Sequence, residues 1–389
     1  MIWLFMFHCS STPDVQPIKE QSIQKKPNVV LVLIDTLRTD HVTPEIAPNL
    51  MVMANRSRQF TNTWSTSSWT APSSASVATG LLPIEHSIYK GFVASAQEGS
   101  QKVLLNTLPK DIPTLAEKLK TAGYNTYGLA SNINIDSAIG FDRGFDQFQC
   151  TPEEDAHILF GKIDEWNLQE PYFLYLHLND VHSPYEPRAP WYKKQESKHE
   201  DMIAAYDSEI SYIDNELAKL YQKMSWEKNV LLITSDHGEE FMDHGQYGHL
   251  DSLYRELTDV IFWLSGPGIS PQVVDTPLSL ADTHHILLYA LGLAPKHSKT
   301  PVVSQRVGPD SEIWSITDKE WRWVNGELYK TSDTKELQNL SSEYPDIAEK
   351  YKLKLEGIQK AKGRRSSIFH EHDLPQNDVH LLKKLGYVE

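Results

Sequence analysis

Three separated stretches carry residues able to hold a divalent cation and attack an anionic ester. Asp35 ends the apolar run 28–34, and Ser235-Asp236-His237 ends the run Val230–Thr234. Carboxylate and imidazole are both ligands for divalent metals. Between them in the chain lies Ser65–Gly80, with hydroxyl residues crowding its start, Pro72 two places after Thr70, and Gly80 at its end. Ser or Thr before a helix and Pro in its first turn are start signals, so a hydroxyl is expected at the mouth of a short helix. The positive end of that helix favours an anion such as phosphate or sulfate. Singly, each of these residues reads as a cap or a buried hydrogen-bonding group. Together they suggest a metal that activates the Thr70 hydroxyl and neutralises an anionic ester.

Further histidines fall in the same regions. Asp236–His249 holds His237, His244 and His249 with interspersed glycines, which let backbone approach a ligand closely. Asn179–Tyr185 follows another apolar run and puts His182 on the same rim. A second metal would need another Asp and two His, for which Asp180, His182, His244 and His249 are the candidates. Their spacing singles out no set, and one metal is expected.

These residues need strands to position them. The runs at 28–34, 126–130, 172–178, 230–234 and 260–264 are rich in β-branched and aromatic residues and read as buried strands. Helical patterns lie between: Asp111–Gly123 has Ile112, Leu115, Ala116 and Leu119 on one face, and apolar residues recur every three or four positions from Ile203 to Met224. The alternation predicts an α/β fold with a mostly parallel sheet covered on both faces, where ligands bind beyond the carboxyl ends of the strands. The expected organisation is a leader and linker over 1–26, a catalytic domain over 27–295 and a small C-terminal α+β subdomain over 296–389. Within the last, Pro295–Pro309 reads as a linker, 313–317, 321–325 and 328–331 as an antiparallel sheet, and 344–361 as a helix.

The chain has 389 residues, 40% hydrophobic and 23% charged, as in a soluble globular protein. Its formal charge of −15 excludes a nucleic-acid partner, because no basic cluster exists to neutralise phosphates. The run Lys360–Arg365 reads as a solvated helix end. Two cysteines, Cys9 and Cys150, make no disulfide framework. Residues 2–7 are apolar but far short of the ~20 residues that span a bilayer. With Cys9 and the polar stretch behind it, they resemble the end of a bacterial lipoprotein signal, although the charged n-region is missing. That reading predicts export to the periplasm and membrane attachment through a lipidated Cys9. A plain cytoplasmic N-terminus is the alternative.

The matching stretches Asn28–Arg38, Ser68–Gly80, Thr114–Tyr124, Tyr172–Tyr185, Ser235–His249 and Leu253–Gly268 resemble the sulfatases of the alkaline-phosphatase-like superfamily, in family order. The resemblance implies that fold and a metal site. Sulfatases carry Cys or Ser in a C/S-x-P-x-R pattern that maturation oxidises to formylglycine. Aligning Pro72 puts Thr70 in that place and Ser74 in place of the Arg, and Thr36 replaces the second Asp of the family's metal pair. The threonine carbinol carbon bears a methyl group and would give a ketone, so no formylglycine is expected. Thr at this position is similar to related phosphotransferases and phosphodiesterases, whose metal site resembles Asp35, Thr70, Asp236 and His237, and whose loop histidine falls at His249.

The expected function is metal-dependent hydrolysis or transfer of anionic phosphate or sulfate esters of a small molecule, glycan or lipid, with phosphoryl chemistry favoured. Thr70 is the nucleophile, and His182 or His249 protonates the leaving group. Either His could equally bind substrate or a second metal. The ion is Ca²⁺, Zn²⁺ or Mn²⁺. The alternative is an idle member that binds an anionic ligand or partner, motivated by the missing Arg and Asp.

Overall fold

A computed structural model describes residues 26–92, 102–152, 154–249, 252–296, 300–308 and 311–373. Cys9 and the stretch expected to form a leader lie outside them, as does the C-terminal end. The central sheet has eight strands: β1 (Val29–Ile34), β2 (Arg58–Phe60), β3 (Asn125–Ala130), β4 (Gln147–Cys150), β5 (Tyr172–Leu178), β6 (Val230–Ser235), β7 (Phe262–Ser265) and β8 (Gln272–Val274). Their spatial order is β8-β2-β7-β6-β1-β5-β3-β4. Strands β6, β1, β5, β3 and β4 run parallel, while β7 is antiparallel to both its neighbours. The expected mostly parallel sheet is therefore present, with one reversed strand.

Period-two alternation explains why β1 is apolar throughout. Val29, Leu31 and Leu33 face one layer with Ala71, Ala75 and Val77 of helix α2 (Thr70–Thr79). Val30, Val32 and Ile34 face the other layer with Tyr206, Ile210, Ile213 and Leu217 of the long helix Lys198–Lys223. The 203–224 periodicity thus marks a helix packed on the sheet. It begins five residues earlier than that stripe, where Ser197 caps it by accepting from the Glu200 amide. The helix expected over 111–123 is confined to Leu115–Thr121, because Thr114 and Glu117 form a reciprocal capping box that fixes its start.

A four-stranded antiparallel sheet follows: β9 (Val303–Val307), β10 (Glu312–Thr317), β11 (Trp321–Val324) and β12 (Glu327–Lys330), with the helix Pro345–Lys362. Strand β9 corrects the reading of 295–309 as a linker. Its Ser304, Gln305 and Arg306 gave a polar appearance, yet Ser304 and Gln305 are buried, because they bind the segment before Thr70. Ser304 Oγ donates to the Ser65 carbonyl at 2.6 Å, and the Gln305 amide donates to the Thr66 carbonyl at 2.8 Å. The core of this sheet also takes in Leu82, Ile84 and Ala281 of the preceding region. The basic run is only partly a free helix end: Arg364 pairs with Glu312 and Arg365 with Asp111.

Candidate metal centre and active site

Strands β1 and β6 are neighbours in register, Ile34 against Ser235, so the residues that follow them emerge side by side. Those residues are Asp35 and Asp236, both fully buried. His237 Nε2 lies 3.4 Å from Asp35 Oδ1 and 3.5 Å from Asp236 Oδ2. His237 Nδ1 donates to the Gly238 carbonyl at 2.8 Å, which turns Nε2 toward the two carboxylates. Gly238 has no room for a Cβ, which would meet the Glu256 carbonyl at 1.9 Å. That glycine therefore serves a close backbone crossing.

Thr70 is the first residue of α2, and its Oγ1 lies 3.2 Å from Asp35 Oδ2 and 3.3 Å from His237 Nε2. The helix start differs from the sequence expectation. Trp69 is the N-cap and gives no side-chain cap, while Ser67 and Ser68 are buried with Oγ atoms that bond no N–H. The helix mouth is thereby left facing the carboxylates and Thr70.

Asp35 Oδ1 and Asp236 Oδ2 are buried and without a hydrogen-bond partner. Two such carboxylate oxygens carry a large desolvation cost that a divalent cation between them removes. Asp35, Asp236 and His237 are the one group of three among the described residues whose ligand atoms converge in this way. The donor set fits a divalent metal. Asp236 feels burial pushing its carboxyl up, but the neighbouring His237 and His177 outweigh it and hold it below the ordinary value. Two of the second-metal candidates are engaged elsewhere: Asp180 Oδ1 accepts from the Ala156 amide, and His244 pairs with Glu256 at 2.7 Å.

His249 and His182 do reach the site. The His249 ring sits 4.6 Å from that of His237 and 5.1 Å from that of His182. His249 Nδ1 bonds Glu239 Oε1 at 2.8 Å, and Tyr185 donates to Glu239 Oε2 at 2.7 Å. Burial lowers His249, but the Glu239 charge and hydrogen bond prevail and raise it; burial lowers His182. Burial raises Glu239, yet His249 chiefly brings it down to about 2.

Three further residues escaped the sequence reading. Asn132 Nδ2 donates to Asp35 Oδ2 at 2.6 Å and to Asn179 Oδ1 at 2.8 Å. His177 is fully buried, its Nε2 3.9 Å from Asp35 Oδ2 and 3.8 Å from Asp236 Oδ2. Glu239 is the third. No signal marked them: His177 is embedded in an apolar run, Asn132 in an ordinary loop, and Glu239 beside another Glu. Thr36 has φ 54° and its amide donates to Asp236 Oδ1 at 3.3 Å. Ser74 lines a small cavity with Leu31, Leu115, Phe141, Phe173 and Tyr175.

A family profile described as Sulfatase matches residues 27–293. The chain belongs to the Sulfatase family. Family members are ester hydrolases that use a divalent metal. The chain is 26% identical over 250 residues to an uncharacterized protein of Haemophilus influenzae, covering 63% of this chain and 38% of that one. It is 21% identical over 364 residues to a choline-sulfatase of Rhizobium meliloti, covering 69% and 68%. The chain thus spans well under half the length of the Haemophilus relative. Among solved structures, a phosphonate monoester hydrolase of Agrobacterium radiobacter superposes with TM-score 0.72 at 15% identity, covering 90% of this chain and 97% of that one. A 2-O GAG sulfatase does so with TM-score 0.71 at 18% identity, covering 87% and 93%. At these identities the superpositions establish the fold, which this Sulfatase-family chain shares.

Proposed function

We propose that this chain hydrolyses anionic esters through Thr70 and favours phosphoryl over sulfuryl centres. The observation that carries the reading is the position of Thr70 Oγ1, within 3.3 Å of both Asp35 and His237 at the start of α2. Asp35, Asp236, His237 and Thr70 hold the divalent ion, for which Zn²⁺ or Mn²⁺ suits the mixed N/O donors better than Ca²⁺. When bound, the ion supplies Lewis-acid polarisation and charge neutralisation.

The residues divide the remaining work. Thr70 gives its hydroxyl proton to Asp35 Oδ2, which accepts its hydrogen bond, and forms the bond to phosphorus. His249 or His182 protonates the departing oxygen. The preference for phosphorus follows from the side chain: threonine cannot become an aldehyde, so the hydrated-formylglycine route to sulfate esters is closed, whereas an alkoxide attack on phosphorus remains open.

The substrate class is a phosphodiester, phosphonate or related ester of a small molecule, glycan or lipid, met outside the cytoplasm. Export and lipid attachment at Cys9 belong to this proposal and rest on the sequence around that residue. Among the described residues no helix is long and apolar enough to cross a membrane.

Purified protein loaded with Zn²⁺, Mn²⁺ or Ca²⁺ is offered nitrophenyl phosphate, bis-nitrophenyl phosphate and nitrophenyl sulfate. Phosphodiester turnover that disappears in Thr70→Ala supports the reading. Sulfate-ester turnover that survives Thr70→Ala overturns the nucleophile assignment. A protein that binds metal and turns over none of the three points to the idle, ligand-binding alternative, which the replacement of the family's Arg by Ser74 favours.

A further inference from the structure

Glu239 is fully buried, and a buried carboxylate is costly unless its oxygens are satisfied. Its two oxygens are divided between two side chains. Oε1 takes His249 Nδ1 at 2.8 Å, and Oε2 takes the Tyr185 hydroxyl at 2.7 Å. The nearby guanidinium of Arg38 bonds the Glu239 carbonyl at 3.0 Å and directs its side-chain pairing to Asp40 and Asp243. Tyr185 is itself wedged edge-on against Tyr206 and Phe241, which fixes the direction from which it holds Glu239. An ionised carboxylate only accepts, so Nδ1 of His249 must carry a proton. The ring then has one orientation, with its other nitrogen on the side away from Glu239. The companion histidine is held differently: His182 Nδ1 bonds the Ser183 carbonyl at 2.6 Å, a main-chain bond of its own loop.

We propose that Glu239, held by Tyr185, is the positioning residue that makes His249, and not His182, the group that protonates the leaving oxygen, and that the site thereby takes esters of aliphatic alcohols such as sugar or lipid hydroxyls. This rests on the ester-hydrolase reading with Thr70 as nucleophile. In the first half-reaction the Thr70 Oγ1–phosphorus bond forms and the bond to the alcohol breaks. The Nε2 proton of His249 passes to the departing oxygen, while Nδ1–H stays with Glu239. In the second, water attacks phosphorus and gives a proton to Nε2. The Thr70–phosphorus bond breaks, and Thr70 recovers the proton held by Asp35. The sum is ester plus water to alcohol plus acid. An aliphatic alkoxide is a poor leaving group and needs this proton; a nitrophenolate does not.

The test uses metal-loaded full-length protein and two phenylphosphonate esters, the 4-nitrophenyl and the 2,2,2-trifluoroethyl. Glu239→Gln and Tyr185→Phe are compared with wild type after thermal denaturation shows each folded. General acid catalysis contributes about 10²–10⁴-fold. The expected result is a kcat loss in Glu239→Gln of about 10²-fold on the trifluoroethyl ester, against only several-fold on the nitrophenyl ester, with KM unchanged on both. Tyr185→Phe shows the same split at smaller size, and His182→Gln shows no split. The far-downfield Nδ1 proton resonance of His249 disappears in Glu239→Gln. Equal losses on both esters in Glu239→Gln and Tyr185→Phe overturn the assignment of Glu239 and leave Thr70 standing. A split found in His182→Gln in place of Glu239→Gln assigns the proton to His182 and overturns it likewise. A wild-type protein inert on both esters, or one unaffected by Thr70→Ala, overturns the ester-hydrolase reading and this inference with it.

Discussion

Thr70 Oγ1 and Asp35 Oδ2 are 3.2 Å apart although 35 residues separate them in the chain, one at the start of a helix and the other just beyond a strand. The hydrogen bond points the hydroxyl into the carboxylate pair. Replacing Thr70 by Ala is expected to reduce kcat by about three orders of magnitude or more, as loss of a nucleophile does elsewhere. Thr70→Ser keeps the oxygen and retains measurable turnover. Steady-state kinetics on the preferred ester, with metal content determined in parallel, separates lost chemistry from lost metal.

Asp35 and Asp236 are each expected to be indispensable for metal binding. Asp236→Asn lowers the stoichiometry found by elemental analysis toward zero. In the unsubstituted protein, adding the ion at about 100 times its dissociation constant stabilises the fold by about 2.7 kcal/mol, seen as a rise in Tm. A Tm in Asp236→Asn that still rises with added metal contradicts the ligand assignment.

Asn132 gives both its amide hydrogens to Asp35 and Asn179. Asn132→Ala frees Asp35 to rotate, and a loss of roughly 10–100-fold in metal affinity is expected, as for other partners of metal ligands. Titration with a competing chelator measures it.

His244 sits between Glu256 and the Glu336 carbonyl; burial lowers its pKa but Glu256 prevails and raises it to about 9. A group raised in the folded state adds stability that is fully present below its unfolded pKa of ~6.5 and lost as pH climbs through the folded value. Tm is therefore expected to fall between about pH 6.5 and 9 by an amount that His244→Gln removes. Parallel melts at both ends of that window check it.

Arg322 and Glu336 form a buried pair with Nε and Oε1 2.7 Å apart, off the line of a directed hydrogen bond, while Arg322 also lies over the Trp64 ring and donates to Thr258 and the Leu253 carbonyl. Glu336→Ala leaves a guanidinium buried without its counter-charge and is expected to cost about 3–5 kcal/mol. An unfolding free energy from denaturant titration that falls by less than about 1 kcal/mol contradicts that.

The convergence of Asp35, Asp236 and His237 was legible because these residues end strands. Asp35 and Asp236-His237 stand where apolar runs stop, and adjacent parallel strands place such residues together. Thr70 was legible through Pro72 and the small-residue run behind it. His177 was not, because a histidine in the run 172–178 has the same spacing as the leucines that alternate with it. Glu239 and Asn132 matter only through contacts made by distant loops, which no local pattern encodes. Strand β9 reads as a linker for the same reason: the Ser304 hydroxyl serves the Ser65 carbonyl, 239 residues earlier, and the Gln305 side chain donates to Glu312 while its main-chain amide serves Thr66.

Strand β9 ties the segment ahead of Thr70 to a distant part of the chain. Ser65 donates to the Asp236 carbonyl at 2.5 Å while its own carbonyl accepts from Ser304. One serine therefore joins the approach to Thr70, the metal-ligand loop and the C-terminal sheet. Synthesis from the N-terminus delivers Asp35, Thr70, Asp236 and His237 before Ser304 exists, so a chain cut short of that residue carries those side chains without the bonds that Ser304 and Gln305 give to the segment ahead of Thr70.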